Sequence, residues 1–432
     1  MMVAGPPPVN DVVATRPASV LASRRRAGIG SRWTRGAKGP QHDGTRSMSH
    51  EPTSGSLVPL SRLSIDGPRR HDGAWGADQK SDVPRGALLP EPPPALVDGQ
   101  RRVVRYLRLS VTDRCNFRCQ YCMPEEGVAF EPKAGILDFD EATRVVRAFA
   151  ALGINRVRLT GGEPLLRRDF PELVRRIAAV PGVEDLALST NGFLFAPIAR
   201  ELRAAGLKRV NISLDTLRAD RFASITRTGD LGRVLDAVAA ALAEGYAPVK
   251  LNAVVLRGFN EDELGGLVRY AGATGALLRF IEYMPIGVDG FWSDHTFMST
   301  DDMIARLSEE FVVHEPRGFA ADVGVVGGGP ARYATVVPKG GGAPVEVGFI
   351  SALSHNFCSS CNRVRVTATG ALQECLAFPG TLSLRDLMRS GASDADLAGV
   401  IEGALFGKGA GHRFDPFDGG VRTFQPMSVT GG

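Results

Sequence analysis

The sequence predicts an α/β fold, either an open parallel sheet or a curved, incomplete β/α barrel, followed by a smaller β-rich region. From about residue 103, short β-branched runs alternate with amphipathic helical ones, and strands joined by such crossovers pair in parallel. Polar signatures recur where those runs end: TGGEP follows RVRL, STNG follows LAL, SLD ends RVNI and EYMP ends LLRFI. That rim of a barrel or open α/β sheet is where active sites form. All six cysteines fall into two triplets, at 115, 119 and 122 and at 358, 361 and 375.

Residues 1–97 are rich in Pro, Gly, Arg and Ser and hold no sustained apolar period, so they read as a disordered extension. Their Arg-rich, acid-poor opening fits an organellar transit peptide, a solvated tail, or a start upstream of the true one near Met48. Residues 98–310 carry the strand candidates VVRYLRLSV, RVRLT, VEDLALST, KRVNISLD, PVKLNAVV and ALLRFIEYM, which begin at 103, 156, 183, 208, 248 and 276. Helical stretches begin at 140, 169, 230 and 261, several opening on acidic residues and closing on Gly. In residues 311–432 the alternation stops. Gly-rich turns separate ARYATVV from VEVGFI, and NRVRVTATGALQECL reads as a hairpin turning at Thr369-Gly370 that returns Cys375 toward Cys361.

With 44% hydrophobic and 23% charged residues the chain is an ordinary globular one. Its net charge of +4 owes much to the seven basic residues between Asp11 and Asp43, so composition gives no argument for nucleic acid. No run reaches the roughly 20 apolar residues of a membrane span, and no secretory leader opens the chain. The expectation is a soluble, cytoplasmic protein whose cysteines ligate metal in a reducing compartment rather than form disulfides.

The first triplet has the spacing C-x3-C-x2-C, with no His or fourth Cys nearby to complete a tetrahedral zinc. Three thiolates on a four-iron cluster leave one iron open, although three close cysteines are also compatible with a structural role. CNFRCQYC, followed by GGEP at 161–164, resembles the signature of the radical S-adenosylmethionine (SAM) superfamily. The resemblance implies a (β/α)6-type TIM barrel and a 4Fe-4S cluster on Cys115, Cys119 and Cys122. Its open iron would hold SAM for reductive cleavage to a 5′-deoxyadenosyl radical. Tyr121, Gly162, Glu163, Ser213 and Met284 are the implied SAM contacts, with the Glu163 carboxylate meeting the SAM ammonium.

For the second triplet, spacing alone leaves two options open, a cluster or a zinc site completed by His355. FCSSCNRVRVTATGALQECL resembles the auxiliary-cluster segment of the GTP 3′,8-cyclase family of molybdenum cofactor biosynthesis. That resemblance runs from about residue 98 to the end, roughly three-quarters of the chain, and includes the terminal Gly431-Gly432. It implies a second 4Fe-4S cluster on Cys358, Cys361 and Cys375, its open iron toward guanine. The implied GTP contacts are Arg108, Arg156, Arg158, Ser189, Lys250, Arg279, Arg363, Arg365, Gly431 and Gly432. Arginine forks suit a triphosphate, and each RVR pair places both arginines on one strand face. Ser189 stands where the family commonly has Thr, and Arg156 where it commonly has Lys.

The implied reaction is radical cyclisation of GTP to (8S)-3′,8-cyclo-7,8-dihydroguanosine 5′-triphosphate, with Arg108, Arg363 or Arg365 acting as the radical is quenched. An external electron donor, a downstream cyclic pyranopterin monophosphate synthase and a homodimer are the implied partners. Asp215 and Asn252 read as loop caps, and Asp113 with Arg114 as a structural pair. The rivals are another two-cluster radical SAM enzyme, such as a peptide-modifying one, and a zinc-stabilised nucleotide-binding scaffold.

Overall fold

The computed structural model describes residues 95–287, 291–319, 329–412, 414 and 427–430; the expectations for 1–94 and for Gly431-Gly432 lie outside them. Leu96 is already buried in the main core and Val97 bridges to Val103. The described chain thus starts three residues before the expected boundary at 98, with the Leu96 side chain in the main core.

Six strands form the first part of the fold: β1 (Tyr106–Ser110), β2 (Arg156–Thr160), β3 (Asp185–Thr190), β4 (Arg209–Ser213), β5 (Val249–Val255) and β6 (Leu277–Glu282). Each lies inside its predicted run. Seven more follow: β7 (Phe311–Val313), β8 (Gly318–Phe319), β9 (Arg332–Pro338), β10 (Val345–Ile350), β11 (Arg363–Val366), β12 (Ala371–Gln373) and β13 (Leu382–Ser383). The path through the single sheet is β13-β12-β11-β1-β2-β3-β4-β5-β6-β10-β9-β7, with β8 on β9. β11 joins β1 in parallel and β10 joins β6 in parallel, so strands from the C-terminal segment extend the parallel run on both sides. Among the described residues the sheet does not close on itself. The β11–β12 hairpin turns as predicted, with Gly370 at φ +83°.

Alternation along the strands separates two chemistries. Leu107, Leu109, Val157, Leu159, Val210, Ile212, Leu251, Leu278, Phe280, Val364 and Val366 belong to the main apolar core. The alternate positions carry Tyr106, Arg108, Arg158, Ser189, Arg209, Lys250, Arg279, Arg363 and Arg365. Ordinary barrel interiors are filled by Val, Ile and Leu. Here the interior face is polar and cationic.

β2 and β6 are four strands apart, which in a flat sheet is about 19 Å. Yet Arg158 and Tyr106 both act electrostatically on Arg279, as a sheet curled around this face requires. The predicted helices are Phe139–Ala151, opened by an Asp138 capping box with Glu141, then Phe170–Ala178, Leu231–Ala243 and Leu264–Thr274. The eight-residue helix Ala219–Thr226 was not legible, because it is short and ends on β-branched residues. No helix among the described residues is long and apolar enough to cross a membrane.

Candidate active site

The first cysteine loop leaves the C-terminal end of β1 and is fastened by backbone. Gly162 N donates to Thr112 O at 2.9 Å and Glu163 N to Arg114 O at 2.7 Å. A Cβ at Gly162 would collide with the Arg114 carbonyl, and one at Gly161, whose φ is +150°, with that of Thr112. The two glycines of GGEP thus let the second loop lie against the first. From the other side Arg118 N donates to Thr226 O and Gln120 N to Ile225 O, so the unpredicted short helix holds the loop.

Two buried carboxylates flank this loop. Glu163 Oε1 accepts from Thr190 Oγ1 at 2.8 Å and Leu165 N at 3.1 Å, and Oε2 accepts from Asn191 N at 2.7 Å. A carboxylate has about four acceptor sites, so one remains on Oε2. Burial pushes Glu163 up to about 7, and a cation beside that oxygen would draw it down again. Asp215 is more than the loop cap expected: its Oδ2 accepts from Tyr121 OH at 2.7 Å and its Oδ1 from Val254 N at 2.8 Å. This fixes the tyrosine between the cysteines, and burial raises Asp215 to about 6. Asp113 and Arg114 do not form the expected pair. Asp113 accepts from Glu131 N at 2.6 Å, while Arg114 lies over the Phe130 ring.

Burial pushes the Cys115 thiol up to about 11 and Cys119 well up, the latter helped by Cys122, Asp215 and Cys115. Ser213 is exposed at the end of β4, and Met284 packs with Tyr121 on a second apolar cluster. That cluster continues through Tyr283, Trp292 and Leu353 to Ala377 and Cys375, joining the surroundings of both triplets.

The second triplet lies at the opposite rim. Tyr106 pairs with Arg363, so Cys361, just before β11, is level with the start of β1, whereas Cys115 lies beyond the end of β1. Cys358, Cys361 and Cys375 are near enough to influence one another's ionisation. His355 is not among them: half exposed, its Nε2 faces Asp301 at 2.9 Å. The neighbours are instead Arg363, whose Nη2 is 3.7 Å from Cys361 Sγ, Lys408, whose Nζ is 3.6 Å from it, and His412 beside Cys358. Burial works upward on Cys361, but Arg363 and Lys408 outweigh it and bring the thiol to about 7.

Between the rims lies the cationic face. Arg158 donates to Tyr106 OH and, at 3.2 Å, to Ser189 Oγ. Arg279 donates to Asn252 Oδ1 through Nε at 2.9 Å and Nη2 at 2.6 Å, so Asn252 orients an arginine rather than capping a loop. Arg108 is pushed well down by burial, then by Arg365 and Arg158. Burial, then Arg279, Arg209 and Arg158, bring Lys250 down to about 6. Burial chiefly brings Arg279 and Arg365 to about 10. Arg156 stands apart at the start of β2, half-buried and level with Tyr106. So many desolvated basic groups on one face are suited to a polyanion.

Sequence reasoning missed Arg209, held by Asp185 through an Nε–Oδ1 bond of 2.8 Å. It also missed Glu282 of EYMP, which accepts from Thr300 N, Leu353 N and Ser354 N and so anchors the loop leading to Cys358. Only EYMP itself could have signalled Glu282.

Among the described residues no three His, Cys, Asp or Glu side chains are arranged to hold one metal ion. A tetrahedral ion draws its ligands together, whereas a cubane takes one thiolate on each of separate irons. Three thiols in each set suit a 4Fe-4S cluster with one iron left open, and His355, turned to Asp301, is not placed to complete a zinc site at the second. The radical SAM superfamily matches residues 109–271, the segment that carries this three-thiol loop and the Gly-Gly-Glu turn clamped to it. The family described as Molybdenum Cofactor Synthesis C matches 276–414. A GTP 3′,8-cyclase of Syntrophomonas wolfei is 42% identical over 320 residues, 74% of this chain and 95% of its own. That of Pelotomaculum thermopropionicum is 43% identical over 335 residues, 78% and 99%. That of Pseudomonas entomophila is 45% identical over 346 residues, 79% and 99%. This chain belongs to the GTP 3′,8-cyclase family. Its cofactors are SAM and 4Fe-4S clusters.

Proposed function

We propose that this protein converts GTP to (8S)-3′,8-cyclo-7,8-dihydroguanosine 5′-triphosphate, the first step of molybdenum cofactor biosynthesis. The observation that carries the reading is a cation-lined interior lying between two cysteine triplets at opposite rims. When bound at the first triplet, SAM and its cluster supply the radical that takes hydrogen from the ribose. Cys115, Cys119 and Cys122 hold that cluster, and Cys358, Cys361 and Cys375 the second.

Tyr121, Gly162, Glu163, Ser213 and Met284 bind SAM, Glu163 through its remaining acceptor site. Arg158, Lys250 and Arg279 hold the triphosphate, with Arg156 at its margin and Ser189 orienting Arg158. Arg108, Arg363 and Arg365, nearest the second triplet, face the base and donate the hydrogen bond or proton that accompanies quenching. The apolar cluster from Tyr121 to Cys375 keeps water from the reacting atoms. The remaining parts of this reading are an external electron donor, a downstream cyclic pyranopterin monophosphate synthase, a homodimer and a cytoplasmic location. So is a division into 98–310 for the barrel and 311–432 for the second-cluster region.

The test is to purify the protein without oxygen, reconstitute its clusters, reduce it with dithionite and analyse products from SAM and GTP by mass spectrometry. GTP-dependent 5′-deoxyadenosine with an isomer of GTP is the expected result, and Cys375→Ala should abolish the isomer. SAM cleavage with GTP untouched would overturn the substrate and turn attention to peptides.

A further inference from the structure

Lys408 follows the helix Asp394–Phe406 and is only 4% exposed, a setting in which a lysine needs an anionic partner. Its Nζ donates to Arg363 O at 2.6 Å and to Cys361 Sγ at 3.6 Å. The Asp98 carboxylate nearby is already held by Arg102, so the geometry leaves the Cys361 sulfur as the group this ammonium faces.

The segment carrying this lysine is locked in place by residues far away in sequence. Arg102 donates to Cys358 O at 2.7 Å, Gly409 O at 2.8 Å and Ala410 O at 2.9 Å, and its Nε is held by Asp98 Oδ2 at 2.7 Å. His412 Nε2 lies 2.8 Å from Ala352 O. A Cβ at Gly411 would meet Cys358 Sγ at 3.1 Å, so the strap lies directly against the cysteine loop. None of the steps above uses Lys408.

We propose that Lys408 is a positioning residue that sets how readily the second cluster is reduced, through its charge and its hydrogen bond to the Cys361 sulfur. Reduction adds negative charge to the cluster, and a donor cation at a ligand sulfur stabilises that state relative to the oxidised one. The inference rests on the second triplet holding a 4Fe-4S cluster.

The experiment uses the full chain carrying Cys115→Ala, Cys119→Ala and Cys122→Ala, so that any iron belongs to the second triplet. Iron and sulfide are assayed, and the reduced cluster is titrated by electron paramagnetic resonance. With Lys408→Met added, the reduced-to-oxidised ratio at fixed potential should fall about tenfold, a midpoint about 59 mV lower for one electron. Lys408→Arg should restore most of the shift. Loss of iron from Lys408→Met but not from Lys408→Arg would overturn it as stated, since charge would then hold the cluster in place rather than set its reduction. Unchanged titration at equal iron content would overturn it and leave the cluster reading standing. Equal iron loss from both variants would overturn it too, because shape rather than charge would matter. Absence of iron and sulfide before any change at 408 would overturn the cluster reading, and the inference with it.

Discussion

Cys119 sits where burial and an acidic neighbour, Asp215, push a thiol up, while Cys361 sits where Arg363 and Lys408 draw one down to about 7. Around the first triplet the buried charged groups are carboxylates, Glu163 and Asp215. Around the second, Arg365 and Lys408 are buried, Arg363 is half-buried, and the one buried carboxylate the strap brings near, Asp98, is neutralised by Arg102. The same ligand set thus stands in opposite fields. The first rim suits a cofactor bearing a sulfonium and an ammonium, and the interior running to the second rim suits a triphosphate. On the proposed function, each molecule would then meet the field of complementary sign.

The sharpest way to break this contrast is to remove each cluster in turn. Cys119→Ala should bring 5′-deoxyadenosine below detection, whereas Cys375→Ala should leave SAM cleavage measurable while the GTP isomer disappears. Equal loss of 5′-deoxyadenosine in both would mean that the triplets do not divide the work. Next in size is the interior. A hydrogen bond to a charged group is worth ~1.5–3 kcal/mol, so Arg158→Met should raise KM for GTP by about 10- to 150-fold with the KM for SAM little changed. Arg158→Lys should recover only part of it, since lysine lacks the fork.

Glycines at the two rims give a third comparison. Gly162→Ala forces a Cβ onto backbone and should cost about 1–3 kcal/mol, read as a lower Tm and less iron retained at the first triplet. Gly411→Ala meets a sulfur at 3.1 Å and should act on the second triplet alone. Smallest is a proton. Lys250, held at about 6, is largely neutral at pH 7.5 in the ligand-free protein, and a bound triphosphate raises it and protonates it. GTP binding should therefore take up close to one proton, and affinity should rise as pH falls from 8 toward 6. Calorimetry in buffers of different ionisation enthalpy reads this, and Lys250→Met should remove it.

The parallel strands were legible because β-branched runs of period two are a local signal, and RVRLT and VEVGFI became β2 and β10 without shift. The short helix Ala219–Thr226 was not, since its helical state comes from packing Phe222 and Ile225 rather than from propensity. Tyr121, Glu163 and the six cysteines were visible as motif positions. Asp215 was seen but misread, because its partner Tyr121 lies 94 residues away. Lys408, Arg102 and His412 left no sequence signal at all. Arg102 reaches Cys358 O across 256 positions and Lys408 reaches Cys361 across 47.

By itself the sequence determined which residue types recur at which strand positions: apolar on one face, arginine and lysine on the other, cysteines in two local clusters. Those are properties of spacing along a chain, where side chains alternate faces. Only the tertiary structure decided that β11 pairs with β1 and β10 with β6, and hence that the second triplet stands at the rim opposite the first. Strand pairing between distant segments depends on packing and register that no local stretch encodes. That pairing turns two separate cysteine motifs and scattered arginines into one charge-graded interior.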